Sequence, residues 1–280
     1  MSTELLTGAD TASAGSPARR WVRRPGRRSL SVAVARLLTA FAVLLIWQYS
    51  PQGVVPTIAV SRPLAIARSF GHLVAAGELF SGTWATAEQV LYSLVLGALI
   101  GVVLAILTWA RIGRWLLGPL ISASYAIPKV GLISFYILLL GVDTKAHVVF
   151  VTGFVLFAYY FAVRDAFEDL DHDKLTALRL MGASRLALFR VYVLPSAVPY
   201  LFTATRIAVP LAFASEVFAE LEMPTATGLG VSLEQATDSL DASTSMAIAL
   251  FIVLIGYLLD LVIGARLRRY TESIGTGLVL

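Results

Sequence analysis

Four charged side chains lie inside stretches that are otherwise apolar, and they are the first candidates for chemistry in this sequence. They are two basic and two acidic residues: Lys129, Arg206, Glu216 and Glu220. A lysine in the middle of a membrane span costs about 2.5 to 3.5 kcal/mol unless it reaches water or a partner. We therefore expect Lys129 to face a cavity, where it either adds positive charge beside a polar path or pairs with Glu216 or a backbone carbonyl.

The other three charged residues are weaker candidates for lining such a path. Glu216 and Glu220 are four residues apart, so a helix places them on one face, about 6 Å apart along its axis. Glu216 is predicted to line the path, whereas Glu220 is interpreted as an interfacial charge. Arg206 is expected to extend toward the membrane surface or brace a nearby loop. The candidate pathway residues are therefore Pro128, Lys129, Arg206 and Glu216.

No signature of an enzyme accompanies these charges. The sequence has no phosphate-binding loop, no H-E-x-x-H and no G-x-S-x-G. It has no cysteine, which excludes disulfides and thiolate metal sites. Its histidines, His72, His147 and His172, match no metal-ligand spacing and are interpreted as solvated or interfacial. We expect no catalytic residue, no metal, no bound cofactor and no nucleic-acid partner.

The elements that hold these residues are membrane-spanning helices. Of 280 residues, 58% are hydrophobic and 14% charged, which is typical of an integral membrane protein. Hydropathy predicts an all-α polytopic fold with about six spans, and Pro128 is expected to kink the third. The predicted spans are residues 30–49, 91–109, 116–140, 146–163, 199–221 and 246–267.

Two smaller features fall between and within these spans. After the first span, Pro63 opens a stretch with apolar residues at helical spacing, which predicts a short surface helix. In the second span, Gly97 and Gly101 form a small-xxx-small pair, which permits close packing of helices. Ordinary packing within the membrane is the simpler interpretation of that pair.

The distribution of Lys and Arg predicts the orientation of the chain. The N-terminus through Arg36 carries seven, the 111–114 loop two, the 164–190 stretch five and the tail three, so 17 of the 22 fall on one side. By the positive-inside rule this side is cytoplasmic and includes both termini. We predict a basic cytoplasmic segment at 1–29, a transmembrane domain at 30–270 and a cytoplasmic tail at 271–280.

The 172–195 loop is a polar-edged segment between the fourth and fifth spans that is long enough to fold. Asp171 can cap a first short helix, Gly182 can end it in a left-handed conformation, and Ser184 can cap a second helix. Pro195 is expected to terminate that second helix. The loop is therefore predicted to be a bent pair of helices that either docks on a partner or lies on lipid headgroups.

The spacing G-x9-[aliphatic]-x-L-P across this loop, at Gly182, Tyr192, Leu194 and Pro195, resembles the signature loop of permease subunits of ATP-binding-cassette (ABC) importers. The E-A-A triplet of that family falls on Thr176, Ala177 and Leu178. The resemblance implies that the loop docks on an ATPase subunit. The residues that it assigns to this coupling are Thr176, Ala177, Gly182, Ala183, Phe189, Leu194 and Pro195.

The wider chain, over residues 60–270, resembles the nitrate, sulfonate and taurine branch of these permeases. The matching stretches are IPKVGLISFYILLLGVD from Ile127, GASRLALFRVYVLPSAVPYLFTATRIA from Gly182, AEL from Ala219 and GLG from Gly228. The resemblance implies a type I importer fold and a pathway formed with a second copy of the chain. It also implies two ATPase subunits that hold ATP and Mg, and an extracytoplasmic binding protein. An ATP-independent channel or facilitator is the alternative, and a membrane enzyme is the third hypothesis.

Overall fold

The computed structural model of the protein describes residues 27–49 and 60–274, and every regular element in these ranges is helical. The chain forms two compact units, Met1–Tyr49 and Ser50–Leu280. The described part of the first unit is helix α1. The helices are α1 (Arg27–Tyr49), α2 (Pro63–Ala76), α3 (Glu78–Trp109), α4 (Arg111–Ala126), α5 (Ile133–Leu140), α6 (Thr144–Glu168), α7 (His172–Leu180), α8 (Arg185–Leu188), α9 (Leu194–Glu222), α10 (Leu229–Asp238) and α11 (Ala242–Ile274).

Five of the six predicted spans each coincide with one apolar helix, and the third falls on the pair α4 and α5. Within the described residues, four helices are long and apolar enough to cross a membrane: α3, α6, the continuous stretch Arg185–Glu222 and α11. A fifth span results if the bent pair α4 and α5 is counted as one, and α1 contributes a shorter apolar stretch, Val34–Tyr49. The all-α polytopic prediction is confirmed.

The third span is broken rather than kinked. Ile127 and Pro128 are extended, Lys129–Leu132 forms a single 3-10 turn, and the helices on either side differ in direction by 87°. A residue that precedes proline is pushed out of the α-helical region, so α4 ends at Ala126 and does not continue through a bend. The break places Lys129 at a helix start instead of mid-helix.

The second span begins earlier than hydropathy predicts. The predicted surface helix is α2, with Pro63 in its first turn, and Gly77 ends it in the left-handed region at φ 75°. Helix α3 starts immediately afterwards, at Glu78, and therefore carries more than three turns before residue 91. Those extra turns bring Thr86 and Gln89 into the folded core.

The centre of the second unit is a packed trio of α3, α6 and α9. Gly97 and Gly101 of α3 lie against Val155, Leu156 and Tyr159 of α6, and a methyl group at Gly101 would lie 2.5 Å from the carbonyl oxygen of Leu156. Without a hydrophobic driving force between helices in lipid, such close approach supplies the packing energy. The glycine pair thus makes an ordinary helix contact within the chain.

This contact yields a stability prediction. Gly101→Ala should destabilise the detergent-solubilised chain by about 1–3 kcal/mol, because the added methyl group overpacks the α3–α6 contact. The matched control is Gly118→Ala in α4, where a Cβ meets nothing within 4 Å. Helix propensity predicts unchanged or slightly higher stability for that control. Thermal unfolding of both variants tests the prediction, and equal unfolding midpoints for Gly101→Ala and Gly118→Ala would contradict it.

Candidate functional site

The 172–195 loop folds as its sequence predicts up to its second helix. The Asp171 carboxylate accepts hydrogen bonds from the backbone N–H groups of Asp173 and Lys174, at 3.0 and 3.2 Å. The hydrogen bond from the Lys174 N–H holds the pKa of the Asp171 carboxyl below its ordinary value. Gly182 takes φ 85°, and the Ser184 hydroxyl oxygen accepts from the Ala187 N–H at 3.2 Å. Both predicted caps and the glycine turn are confirmed.

The prediction that Pro195 terminates the second helix is wrong. Helix α8 passes through a π-helical turn, Phe189–Val193, directly into α9, so that Arg185–Glu222 is one continuous helix of 38 residues. Proline lacks an N–H and normally disrupts the ladder, but a π turn shifts the hydrogen-bond register just before it. Pro195 therefore sits in a first-turn position of α9, where its missing donor is tolerated.

The apolar residues of this loop divide between a buried base and an exposed tip. Leu175, Leu188 and Val193 are buried, while Leu180 and Met181, beside the Gly182 turn, are 84% and 83% exposed. An exposed apolar tip on a packed base is typical of an interaction surface.

The residues that the resemblance assigns to coupling lie across this base and tip. Thr176 and Ala177 are exposed on α7, and the Thr176 hydroxyl donates to the carbonyl of His172 at 2.8 Å. Half-buried positions are taken by Ala183 and Phe189, and exposed ones by Gly182, Leu194 and Pro195. The described structure brings all seven into one continuous segment.

At the opposite end of the helices, a fully buried polar cluster joins α3, α6 and α9. Glu216 and Glu220 are both 0% exposed, as is His147 of α6. The interpretations of Glu220 as an interfacial charge and of His147 as a solvated or interfacial side chain are therefore wrong. His72 and His172 are exposed, as predicted. In an apolar core these groups must satisfy one another.

His147 and Glu216 share a proton. His147 Nε2 lies 2.8 Å from the Met223 carbonyl oxygen, and Nδ1 lies 2.8 Å from Glu216 Oε1. The carbonyl can only accept, so Nε2 carries a hydrogen. A second proton then lies between Nδ1 and Oε1, on the imidazole if Glu216 is ionised and on the carboxyl if it is not. In either form the pair has no net charge.

Glu220 is held by groups that come from distant parts of the chain. Its Oε1 accepts from the Thr86 hydroxyl at 2.7 Å and its Oε2 from the Gly230 N–H at 2.7 Å. The Thr86 oxygen in turn accepts from the Leu229 N–H at 3.0 Å. A Cβ at Gly228 would collide with the Glu220 carboxylate. The G-L-G stretch thus lets the start of α10 approach a buried carboxylate closely.

The basic pathway candidates lie apart from this cluster. Lys129 Nζ donates to the Tyr125 carbonyl at 3.2 Å and lies 4.7 Å from the ring centre of Phe157. Of the partners predicted for Lys129, it contacts a backbone carbonyl and not Glu216, because Glu216 is hydrogen-bonded to His147. Pro128 is exposed beside it, and the half-buried Arg206 guanidinium lies against Gly264 of α11. The structure therefore does not bring the four pathway candidates together.

Sequence reasoning missed His147 and Thr86 as members of the polar cluster. One signal was available in the sequence: His147 lies near the start of an otherwise apolar helix and matches no metal-ligand spacing. Glu216 lies 69 residues beyond His147 and Glu220 lies 134 residues beyond Thr86, so no local spacing pointed to either pair. Thr86 lay outside the predicted span and was not considered.

A family model described as "Binding-protein-dependent transport system inner membrane component" matches residues 97–271, which include the 172–195 loop and both glutamates. The chain belongs to this family. It is accordingly a permease subunit of an ABC importer, and transport subunits of this family are not enzymes themselves.

Relatives of this permease carry similar descriptions. It is 28% identical to an ABC transporter permease protein of Brucella melitensis, over 77% of this chain and 87% of that protein. It is 23% identical to the aliphatic sulfonates transport permease protein SsuC of Bacillus subtilis, over 85% and 86%. For the nitrate import permease protein NrtB of Leptolyngbya laminosa the identity is 25%, over 85% and 86%. The predicted resemblance to this branch is confirmed.

The fold of the permease also matches a solved importer. An inward-facing structure of the MetNI methionine ABC transporter superposes with a TM-score of 0.58 at 22% identity, over 68% of this chain and 95% of that one. The likeness shows the fold alone, and it confirms the predicted type I importer architecture.

The buried cluster of the permease yields a prediction on Thr86. Thr86→Val removes a hydroxyl that both donates to Glu220 and accepts from the Leu229 N–H, and each group left unpaired costs about 1–3 kcal/mol. Thr86→Ser keeps the hydroxyl and should unfold close to the parent. Thermal unfolding in detergent compares the two. If both variants lose the same stability, the hydroxyl is not what matters.

A second prediction concerns the shared proton. Glu216→Gln places an amide N–H where the proton lies, so it can still donate to His147 Nδ1 and should cost less than about 1.5 kcal/mol. Glu216→Met has a similar length but strands Nδ1 and should cost more. Unfolding midpoints of the two variants give the comparison. A glutamine variant as unstable as the methionine variant would mean that the site requires a carboxylate.

Proposed function

We propose that this permease forms the translocation pathway for a small solute and is driven by separate ATPase subunits that grip the 172–195 loop. The observation that carries the proposal is the exposed apolar tip at Leu180 and Met181, set on a buried base by the left-handed Gly182. Closure of the ATPase subunits would rock the spans between inward and outward access. ATP and Mg would be held by those subunits, and the chain itself would bind no cofactor.

The continuous helix Arg185–Glu222 supports a mechanical route for this coupling. Its 38 residues span about 57 Å at 1.5 Å per residue, from the loop to the buried glutamates. A push on the loop would be carried along α9 to Glu216 and Glu220, which are hydrogen-bonded to α6 and to the start of α10. Movement at the ATPase end and opening at the other end would then be one rigid-body motion.

The proposed orientation and partners follow from the charge pattern. Both termini and the 172–195 loop are placed in the cytoplasm, with the segment at 1–29, the transmembrane domain at 30–270 and the tail at 271–280. No Lys or Arg occurs between Ile207 and Ala265, and the outward loops carry Glu222, Asp238 and Asp241. This acidic face would receive an extracytoplasmic binding protein, and two copies of the chain would enclose the path between them.

The transported solute is proposed to be a small sulfonate-, taurine- or nitrate-like compound or a related organic molecule. Relatives named for sulfonate and nitrate transport support this class, and so does a lysine at the break in the third span. Lys129 uses one N–H on the Tyr125 carbonyl, which leaves its other donors for an anionic group. Pro128, Arg206 and Glu216 remain the other proposed pathway residues, although Glu216 is enclosed by His147 in this conformation.

The loop geometry predicts how Gly182 variants behave. A valine at φ 85° is strained by about 1–2 kcal/mol or more, whereas asparagine tolerates the left-handed region. Nothing lies within 4 Å of a Cβ there, so the variants differ in backbone conformation and not in steric clash. Gly182→Val should lose the ATPase subunit and solute uptake, while Gly182→Asn should keep most of both.

The measurement co-expresses the tagged permease with a candidate ABC ATPase subunit from the same organism and follows ATPase retention in detergent and solute uptake in cells. Normal uptake with Gly182→Val would contradict ATPase coupling through this loop. A parent chain that transports but never retains an ATPase would indicate an ATP-independent channel or facilitator.

A further inference from the structure

The turn between α10 and α11 has a strained backbone. Leu240 takes φ 58°, and no other non-glycine residue in the described part of the chain has a positive φ. The turn closes as a helix C-cap, in which the Leu240 N–H donates to the Thr237 carbonyl and the Asp241 N–H to the Ala236 carbonyl, both at 3.0 Å. Glycine or asparagine is usual at this left-handed position, because a Cβ there crowds the backbone. The chain therefore places leucine where local backbone energetics disfavour it.

The Leu240 side chain makes little contact with its own chain. It is 74% exposed, and it is the one large apolar side chain in the 235–241 stretch, whose other exposed members are polar. Backbone strain of this kind clusters at functional sites, where another requirement outweighs local stability. An exposed leucine held in a strained turn therefore indicates a contact with something outside the chain.

Hydrogen bonds hold this turn in one conformation. The Asp241 carboxylate accepts from the N–H groups of Ser243 and Thr244, both at 3.1 Å, and from their hydroxyls at 2.6 and 2.7 Å. The bonds from the Ser243 and Thr244 hydroxyls lower the pKa of the Asp241 carboxyl to about 2, so it is ionised at neutral pH. A side chain on a preorganised backbone loses less entropy on binding. Leu240 is thus presented on an ordered turn, between Asp238 and Asp241 in the sequence.

We propose that Leu240 is an anchor for the extracytoplasmic binding protein and inserts into an apolar socket that has basic residues around its rim. The inference rests on the proposed function, which puts the turn between α10 and α11 on the outward side. An apolar centre with a polar rim is the usual arrangement of a protein interface. The acidic rim selects a basic partner surface, since no Lys or Arg lies between Ile207 and Ala265 to offset Asp238 and Asp241.

A lipid surface fits the turn less well than a protein does. Insertion of Leu240 into the bilayer would carry Asp238 and Asp241 toward the acyl chains, where a carboxylate is costly. A partner protein can give the leucine an apolar contact and each carboxylate a basic one.

One short helix connects the turn to the buried polar cluster. Helix α10 runs for 10 residues, about 15 Å, and the Gly230 N–H in its first turn donates to Glu220. A binding protein held at Leu240 would therefore act on the same helix that holds Glu220.

Two substitutions separate the side chain from the backbone strain. Leu240→Gly removes both, so it should weaken binding of the binding protein about tenfold or more. Its unfolding midpoint in detergent should stay the same or rise, because the strain is gone. Leu240→Met keeps a large, adaptable apolar side chain and should bind within about threefold of the parent.

Binding is measured on the full-length permease in nanodiscs. The probe is a candidate extracytoplasmic binding protein from the same organism that supports uptake when it is co-expressed with the permease and ATPase subunits. Because the chain has no cysteine, Ser239→Cys also gives a single reactive site beside Leu240. A membrane-impermeant maleimide should label this site, and the labelling should slow when the binding protein is added but not when serum albumin is added.

The contrary results have distinct meanings. Equal affinity of Leu240→Gly and the parent chain for the binding protein would overturn the anchor and leave the proposed function standing. A lower unfolding midpoint for Leu240→Gly would overturn it too, because the leucine would then serve the fold. If the maleimide did not reach Ser239→Cys, the turn would lie in lipid and the proposal would fail. Uptake by the parent chain without any binding protein would contradict the proposed function and the anchor with it.

Discussion

Two carboxylates of this permease, those of Glu216 and Glu220, are buried without access to water. A buried carboxylate is tolerated only where donors or a shared proton replace its hydration. Glu220 meets that requirement with Thr86 of α3 and the backbone at the start of α10, and Glu216 meets it at Oε1 with His147 of α6, while its Oε2 has no partner among the described residues. Because the partners come from three helices besides α9, the bonds to two side chains fix how four helices meet at one end of the second unit.

Close contact between helix backbones at glycines adds to the constraint that the buried carboxylates impose. Gly97 and Gly101 bring α3 onto α6, and Gly228 and Gly230 bring α10 onto the carboxylate of Glu220. In lipid, where apolar side chains gain little by leaving their solvent, contact distance and internal hydrogen bonds decide helix packing. The long helix from Arg185 to Glu222 then connects this tightly specified end to the 172–195 loop, so the two candidate sites belong to one mechanical element.

Local signals in the sequence were reliable where the physics is local. The caps at Asp171 and Ser184 and the left-handed turn at Gly182 depend on neighbouring residues alone, and the structure has them as predicted. Pro195 was misjudged because a proline ends a regular α-helix, but a π turn before it changes the register of the backbone bonds. The effect of Pro128 was underestimated. A kink was predicted, but the residue before a proline is kept out of the α-helical region, so the helix ends before Ile127.

By itself the sequence determined a membrane protein with apolar helices at about six positions, a helical loop between two of them and membership of the ABC importer permeases. Span length, charge counts and turn residues carry that information because each depends on a short window of the chain. Only the tertiary structure decided that Glu220 and His147 are buried and that Lys129 rests on aromatic rings and not on Glu216. Those outcomes depend on contacts between residues up to 143 positions apart, which no local pattern encodes.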